Sequence, residues 1–257
     1  GPVIGGVMFT LWGIDPILFL SAACFTFSAI VEIFIHIPYE KRPREVGVFQ
    51  IIEMDLKESY QFVKTEKPIF FSVVFLVSIF NLVLSAVMIV GTPILITQVL
   101  GMSDTMYGFT QGALALGGLC GGILTAIVSE KLKIQNSYVL LLVCSVAVAI
   151  MGISLFLNMP AIVSYWAITF MSFIAMGVST LFMLQIYTLV QTQTPPQLVG
   201  KIMAALISIA MCGQPVGQAI YGVLFDIFAM HTWVVLMGAA TASLLISFYS
   251  KRIFNKL

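Results

Sequence analysis

Charged residues are scarce in this 257-residue chain: they make up 9% of it, and twelve basic against eleven acidic residues leave a net charge of +1. Ordinary water-soluble domains carry about 25% charged residues, so the shortage excludes a soluble globular fold. The near balance of signs excludes the basic surface that nucleic-acid-binding proteins use. We therefore predict no nucleic-acid partner.

Metal ligands and redox-active thiols are also few. The chain has two histidines and four cysteines, and the cysteines lie singly in apolar segments, at Cys24, Cys120, Cys144 and Cys212. They lack the Cys-x-x-Cys or Cys/His spacing of a zinc or disulfide site. We predict no metal site and no cofactor, and we interpret the cysteines as small apolar packing residues.

Motifs of membrane-embedded enzymes are absent as well. The sequence contains no His-Glu-x-x-His, no Gly-x-Ser-x-Gly and no pair of aspartates within an apolar segment. Those motifs supply the metal, the nucleophile or the acid and base of known hydrolases. We therefore predict that the protein is not an enzyme and assign no catalytic residue.

Apolar residues make up 60% of the chain. A membrane-spanning helix requires about 20 of them in succession, and seven segments are of that order, at 17–37, 68–100, 106–128, 138–157, 161–190, 202–225 and 232–250. We predict an all-α integral membrane protein, a helical bundle in contact with membrane lipid. The apolar residues before Trp12 are too few to span, so we expect the chain to open inside a helix that begins upstream in a longer protein.

Basic residues are confined to alternate connections between these segments. The connections at 13–16, 101–105, 158–160 and 226–231 contain no Lys or Arg, and all twelve basic residues lie on the other side. Cytoplasmic loops of membrane proteins carry such an excess. We predict a multi-pass protein of the cell inner (plasma) membrane, with its C-terminus in the cytoplasm.

The connection at 38–67 differs from the others because it is long and highly charged. Its apolar residues nevertheless recur at three- and four-residue spacing, which predicts an amphipathic helix lying on the cytoplasmic side. The residues of the apolar face are Phe49, Ile52, Leu56, Tyr60 and Val63. A solvated charged loop is the alternative.

The first six residues resemble a family signature. Gly1, Pro2, Gly5 and Gly6 reproduce the Gly-Pro-x-x-Gly-Gly motif in the fifth helix of the major facilitator superfamily, which is associated with proton-driven drug antiporters. The segments at 100–122 and 191–217 look like the eighth-helix and tenth-to-eleventh-helix regions of macrolide-efflux members. Lys201 stands where an arginine is usual, and Glu130-Lys131 where the family often has Gly-x-x-x-Asp-Arg.

This resemblance implies the C-terminal half of a twelve-helix transporter. Residues 1–37 would form the end of helix five and helix six of the N-terminal bundle, 38–67 the cytoplasmic linker, and 68–257 the C-terminal six-helix bundle. The implied function is proton-coupled efflux of amphipathic drugs such as macrolides by alternating access. The implied partners are an amphipathic small molecule, protons and the missing N-terminal half.

Polar side chains recur on one face of several apolar segments. Inside lipid they are costly unless they face protein or water, so such stripes predict a cavity. We predict that seven residues line the substrate path: Asn81, Ser85, Gln111, Met183, Tyr187, Gln214 and Gln218. Each amide could instead bond to a neighbouring helix. The segments at 138–157 and 232–250 have almost no amide or charged side chains and are predicted to face lipid.

Small residues at four-residue spacing predict close helix packing. They are Gly118 and Gly122 in the 106–128 segment and Gly213 and Gly217 in the 202–225 segment.

Glu32 is the one acidic residue within a spanning segment, with His36 one turn later. Burial raises the pKa of a carboxyl group and would suit it to carry a proton. Glu32 is therefore a possible proton site, although it could instead reach towards the cations of the linker.

Two other functions are compatible with the sequence. A metabolite or siderophore exporter of the same fold would have the same pattern of spans. A six-helix permease subunit driven by a separate ATPase would also carry such spans, but it would depend on ATP rather than on an ion gradient.

Overall fold

The computed structural model describes residues 12, 14–34, 48–128 and 134–255, without the side chains of residues 48–52 and 55. Within these ranges the regular secondary structure is helical, and the principal helices are α1 (Ile14–Ile33), α2 (Val48–Thr65), α3 (Ile69–Val99), α4 (Asp104–Val128), α5 (Ser137–Phe156), α6 (Ala161–Thr192), α7 (Val199–Ile227) and α8 (Thr232–Phe254). All of them except α2 are long and apolar enough to cross a membrane. The predicted all-α membrane protein is confirmed.

Lysine side chains tie together one end of the bundle, which we call the basic end. The Lys67 Nζ, just before α3, donates a hydrogen bond to the Gln193 Oε1, just after α6, at 3.2 Å. The Lys251 Nζ of α8 lies 4.9 Å from the ring centroid of Tyr138, at the start of α5. The helices therefore begin and end here in alternation, as an up-and-down bundle requires.

Short turns join the spans at the opposite end. Between α3 and α4, Gly101 has a φ of +62°, a left-handed conformation that glycine adopts without strain. The Met106 backbone N–H then donates a hydrogen bond to the Ser103 Oγ at 3.3 Å. Asp104 places a carboxylate in the first turn of α4, where the helix dipole favours negative charge.

Helix α3 departs from α-helical geometry twice, in π-helical segments at Asn81–Ser85 and Ile94–Val99. In a π turn the backbone hydrogen bond spans five residues instead of four. Each widened turn changes the face on which the following side chains lie. Pro93 precedes the second segment and has no N–H to donate to the preceding turn.

Helix α7 packs closely on α3 through two glycines, as predicted. A methyl group added at Gly213 would collide with the Ser78 carbonyl oxygen, and one at Gly217 would collide with that of Leu82. Glycine pairs of this spacing let helix backbones approach each other in lipid. The carbonyls they meet flank the start of the first π segment of α3.

Helices α4 and α6 make a second contact of this kind, through residues other than those predicted. Gly117 and Gly121 lie against the backbone of α6 at residues 173–177, where added methyl groups would collide. The predicted Gly118 and Gly122 lie one position further round the helix, and Gly122 has nothing within 4 Å of an added Cβ. The sequence contains both glycine pairs at four-residue spacing, so spacing alone does not distinguish the pair that makes the contact.

Helices α5 and α8 pack against each other, and each has an exposed face of apolar residues such as Val146 and Leu245. On the inner side, the Ser145 Oγ donates a hydrogen bond to the Ala240 carbonyl oxygen at 2.8 Å. The helices predicted to face lipid thus expose one apolar side and bury the other.

Helix α2, predicted as an amphipathic helix, lies against the basic ends of α3 and α7 through a face that overlaps the predicted one only in part. Phe62 is 8% exposed and packs with Phe70 and Ile202. Leu56 and Tyr60, on the predicted face, are 57% and 53% exposed. Ser59 and Phe62 occupy the buried face, and Val63, a predicted residue, packs against the cluster around Phe62. Of the other predicted residues, Phe49 and Ile52 have side chains outside the described part.

Helix α1 has no buried residue in the described part of the chain. Glu32 lies near its end and is exposed.

Candidate functional site

A pocket of about 540 Å³ is lined by residues from the middle parts of α3, α4, α6 and α7. Its lining residues are Leu84, Ser85, Met88, Ile89, Tyr107, Gln111, Leu114, Ala115, Ala175, Met176, Ser179 and Gln214. None of them is charged. The pocket can therefore form hydrogen bonds and apolar contacts with a small molecule, but it offers no ion pair.

The α3 side of the pocket is built on the first π segment. The Asn81 Nδ2 donates a hydrogen bond to the Val77 carbonyl oxygen at 3.1 Å. Its Oδ1 accepts one from the Ser85 Oγ, also at 3.1 Å. Asn81 is 7% exposed and does not line the pocket, so it lies behind the pocket wall. Its hydrogen bond orients the Ser85 hydroxyl.

The α4 side presents a tyrosine and a glutamine one turn apart. The Gln111 Nε2 donates a hydrogen bond to the Tyr107 hydroxyl oxygen, and both side chains line the pocket. This bond leaves the Gln111 carbonyl oxygen and the Tyr107 proton for a bound molecule. The pair therefore offers one acceptor and one donor from a single helix.

The α6 side joins a hydroxyl to a buried thiol. The Ser179 Oγ lies 3.5 Å from the Cys144 Sγ of α5, behind the pocket wall. Cys144 is 1% exposed and its Sγ also approaches the Ala175 carbonyl oxygen at 3.6 Å. The Cys144 thiol fills space between α5 and α6, as predicted for a small packing residue, whereas Cys24, Cys120 and Cys212 are exposed.

The sequence profile of the Major Facilitator Superfamily matches residues 1–217. The chain belongs to this superfamily. No curated protein and no solved structure matches the chain. Superfamily members are secondary transporters rather than enzymes, so the pocket lies inside a multi-pass membrane transporter.

Three of the seven residues predicted for the transporter's substrate path line this pocket: Ser85, Gln111 and Gln214. They belong to α3, α4 and α7, and the fold brings them together. Their polar groups are set in a surface of leucine, isoleucine, methionine and alanine. That mixture is typical of small-molecule sites, in which a few polar groups orient a ligand against apolar walls.

The other four predicted residues lie elsewhere. Asn81 is behind the wall, and Gln218, one turn past Gln214, is half-buried but does not line the pocket. Met183 packs against the main apolar core, and Tyr187 against the cluster around Phe62 near the basic end. The two α6 residues lie one and two turns beyond Ser179, so the same helical face leaves the pocket before it reaches them.

The remaining candidates do not contribute to this pocket. Glu32 belongs to α1 and is not among the lining residues. The signature residues Gly1, Pro2, Gly5 and Gly6 lie outside the described residues.

Sequence reasoning missed Tyr107 as a pocket residue. Its signal was present, because a tyrosine four residues before a glutamine within an apolar helix lies on the same face. The bond between the two side chains makes Tyr107 a partner of Gln111 as well as a wall of the pocket.

Proposed function

We propose that this transporter exports amphipathic small molecules such as macrolide-type drugs in exchange for protons, and that the pocket between α3, α4, α6 and α7 is part of the substrate path. The observation that carries the proposal is the lining itself. Hydroxyl and amide groups stand in a largely apolar surface with no charged side chain. An uncharged surface of this kind suits a molecule recognised by its apolar area and a few hydrogen bonds.

Two methionines support this substrate class. Met88 and Met176 face the pocket from α3 and α6. Methionine is unbranched and polarizable, so its side chain adapts to ligands of different shape. Such a surface favours a range of amphipathic substrates over one rigid ligand.

The wider arrangement is part of the same proposal. We take residues 1–37 as the last part of an N-terminal bundle, 38–67 as the linker and 68–257 as the C-terminal bundle of a twelve-helix transporter. The basic end would face the cytoplasm, as the distribution of Lys and Arg favours. Rocking of the two bundles would then expose the pocket to either side of the membrane in turn.

The test compares two glutamines of α7, one turn apart. Gln214 lines the pocket and Gln218 does not, so Q214A removes an amide from the proposed path and Q218A removes the same group beside it. In cells that express the intact transporter, we expect Q214A to weaken the apparent affinity for an exported macrolide about fivefold, the value of one lost hydrogen bond. Q218A should leave it unchanged.

Equal effects of the two substitutions would contradict the assignment of the pocket. Proton coupling is tested in the same cells with a protonophore, which should abolish efflux while ATP is maintained. Efflux that persists and follows the ATP level would contradict a secondary antiport mechanism.

A further inference from the structure

A second cavity lies at the basic end, separate from the pocket between α3, α4, α6 and α7. It is a groove of about 460 Å³ between α2, α3 and α7. Its floor is formed by the buried side chains of Phe70 and Leu206, and its rim includes Tyr60 and Phe75. The lining is apolar apart from Tyr60 and two serines. Nothing in the transport proposal uses it.

The groove is open along its outer rim. Phe71, Phe75 and Ile209 line it and are 45%, 53% and 54% exposed. These residues belong to α3 and α7, two helices that are long and apolar enough to span the bilayer. The medium around such helices is hydrocarbon rather than water. An acyl chain is therefore the natural occupant of an apolar groove at this position.

The wall formed by α2 is fixed in place. Phe62 is buried among Phe70, Ile202 and neighbouring apolar side chains. An ion pair between the Lys201 Nζ and the Glu58 Oε2, at 2.5 Å, joins α2 to the first turn of α7. The groove is therefore preformed, and a ligand does not have to bring α2 into position.

Positive charge stands at the mouth of the groove. The Lys64 Nζ lies 5.8 Å from the ring centroid of Tyr60, and that ring makes an edge contact with Phe71 at 5.7 Å between centroids. Lys57 is exposed and lies seven residues before Lys64, on the same face of α2. Two ammonium groups therefore share a helical face with Tyr60, which lines the groove.

We propose that a phospholipid with an anionic headgroup binds here, with one acyl chain in the groove and its phosphate at Lys64 and Lys57. The acyl chains of all membrane lipids are about as apolar as the groove lining. The groove therefore fixes the position of one chain but contributes little to the choice between lipids. Selectivity comes from the lysines, and each lysine near a membrane surface favours an anionic lipid about fivefold.

The first experiment measures retained lipid by native mass spectrometry of the purified chain with phosphatidylglycerol or phosphatidylcholine. We expect K64Q to reduce the preference for phosphatidylglycerol about fivefold. The matched control is K251Q, because the Lys251 Nζ also stands over a tyrosine ring at the basic end but does not line this groove. Equal losses in the two variants would overturn the proposal, because they would mean general attraction to the basic end.

The second experiment tests the groove itself. I209W places a larger side chain at an exposed lining position and should lower the retention of both lipids. Unchanged retention would overturn the acyl-chain assignment. If I209W fails to fold, a photo-crosslinking amino acid at Phe75 in the intact transporter gives the same test: a phospholipid adduct supports the proposal, whereas a peptide adduct means that protein covers the groove and overturns it.

Discussion

Helices α3 and α6 each pack against a pair of glycines on a parallel neighbouring helix, but their backbone geometries at these contacts differ. Gly213 and Gly217 meet carbonyl oxygens of α3, and Gly117 and Gly121 meet carbonyl oxygens of α6. The carbonyls on each receiving helix are four residues apart. Helix α6 stays α-helical through its contact, whereas α3 becomes π-helical within it, at Asn81–Ser85. The same glycine spacing thus supports two different backbone geometries.

The two contacts also differ in the hydrogen bonds that accompany them. Between α4 and α6, the hydroxyl oxygens of Thr110 and Thr169 lie 2.8 Å apart, and the Tyr165 hydroxyl donates to the Met106 carbonyl oxygen at 3.0 Å. Between α3 and α7 the Ser78 Oγ reaches the Ile209 carbonyl oxygen at 3.4 Å. The α4–α6 contact is reinforced by side chains, whereas α3–α7 depends more on the close approach of the two backbones.

The largest expected effect is therefore a glycine substitution in the α3–α7 contact. In G217A the added methyl would collide with the Leu82 carbonyl oxygen and with the Ala86 side chain. In G121A it would meet the backbone at Gly177. Overpacking of this kind costs about 1–3 kcal/mol, and we expect G217A to lie near the top of that range and above G121A. Unfolding of the purified protein in mixed micelles gives both values.

Two neighbouring glycines supply the control. An added Cβ at Gly222 or Gly122 has no atom within 4 Å. Alanine is favoured over glycine in helices by up to about 1 kcal/mol, so G222A and G122A should be neutral or stabilising. A lower stability of G222A, comparable with that of G217A, would mean that the collision is not the cause.

The spans could be predicted from sequence because lipid imposes a simple rule. Every backbone polar group must be satisfied within the segment, so long apolar runs become helices. The turn signals then set the ends, as at Gly101 and Pro160, where the structure begins the next helix within a few residues. All seven predicted spans are present as helices.

The pocket could be predicted only in part, since its geometry depends on helix type and on the length of each polar stripe. A regular helix would have kept Asn81, Ser85 and Thr92 on one face. With the first π segment at Asn81–Ser85, Ser85 lies at the pocket while Asn81 and Thr92 are buried. Nothing in the residue types distinguishes a π turn from an α turn beforehand, because backbone hydrogen bonds alone define it.

A smaller effect is expected from the side chain that supports the π segment. N81A removes the bond to the Val77 carbonyl and the acceptor of the Ser85 hydroxyl. We expect a loss of about 1 kcal/mol in unfolding free energy, the net value of a typical intramolecular hydrogen bond. Double-mutant analysis with S85A should show that part of the loss is shared by the two residues.

The equivalent position on α6 provides the comparison. Asn81 follows Ser78 by three residues, and Met176 follows Phe173 by three. Met176 is 42% exposed and lines the pocket, so M176A should change stability by no more than about 0.5 kcal/mol. An equal loss in N81A and M176A would indicate that the π segment does not depend on the asparagine.

The smallest expected effect concerns the hydroxyl pair that reinforces α4 and α6. A double-mutant cycle of T110V and T169V should give a coupling of about 0.6 kcal/mol, the average for hydrogen bonds between membrane helices. The value stays modest because hydroxyl groups of the unfolded chain also find partners within the membrane. Thr110 itself has such a partner, since its Oγ1 lies 3.3 Å from the Met106 carbonyl oxygen of its own helix.

Thr125 gives the matched cycle, because its Oγ1 donates to the Gly121 carbonyl oxygen within α4 at 2.8 Å. T125V and T169V should therefore show no coupling beyond experimental error. Coupling in both cycles would assign the energy to a general change in α6 rather than to the hydroxyl contact. Absence of coupling in both would leave the bond from the Tyr165 hydroxyl to the Met106 carbonyl oxygen as the side-chain contact that reinforces α4–α6, and would contradict the contribution expected of the threonine pair.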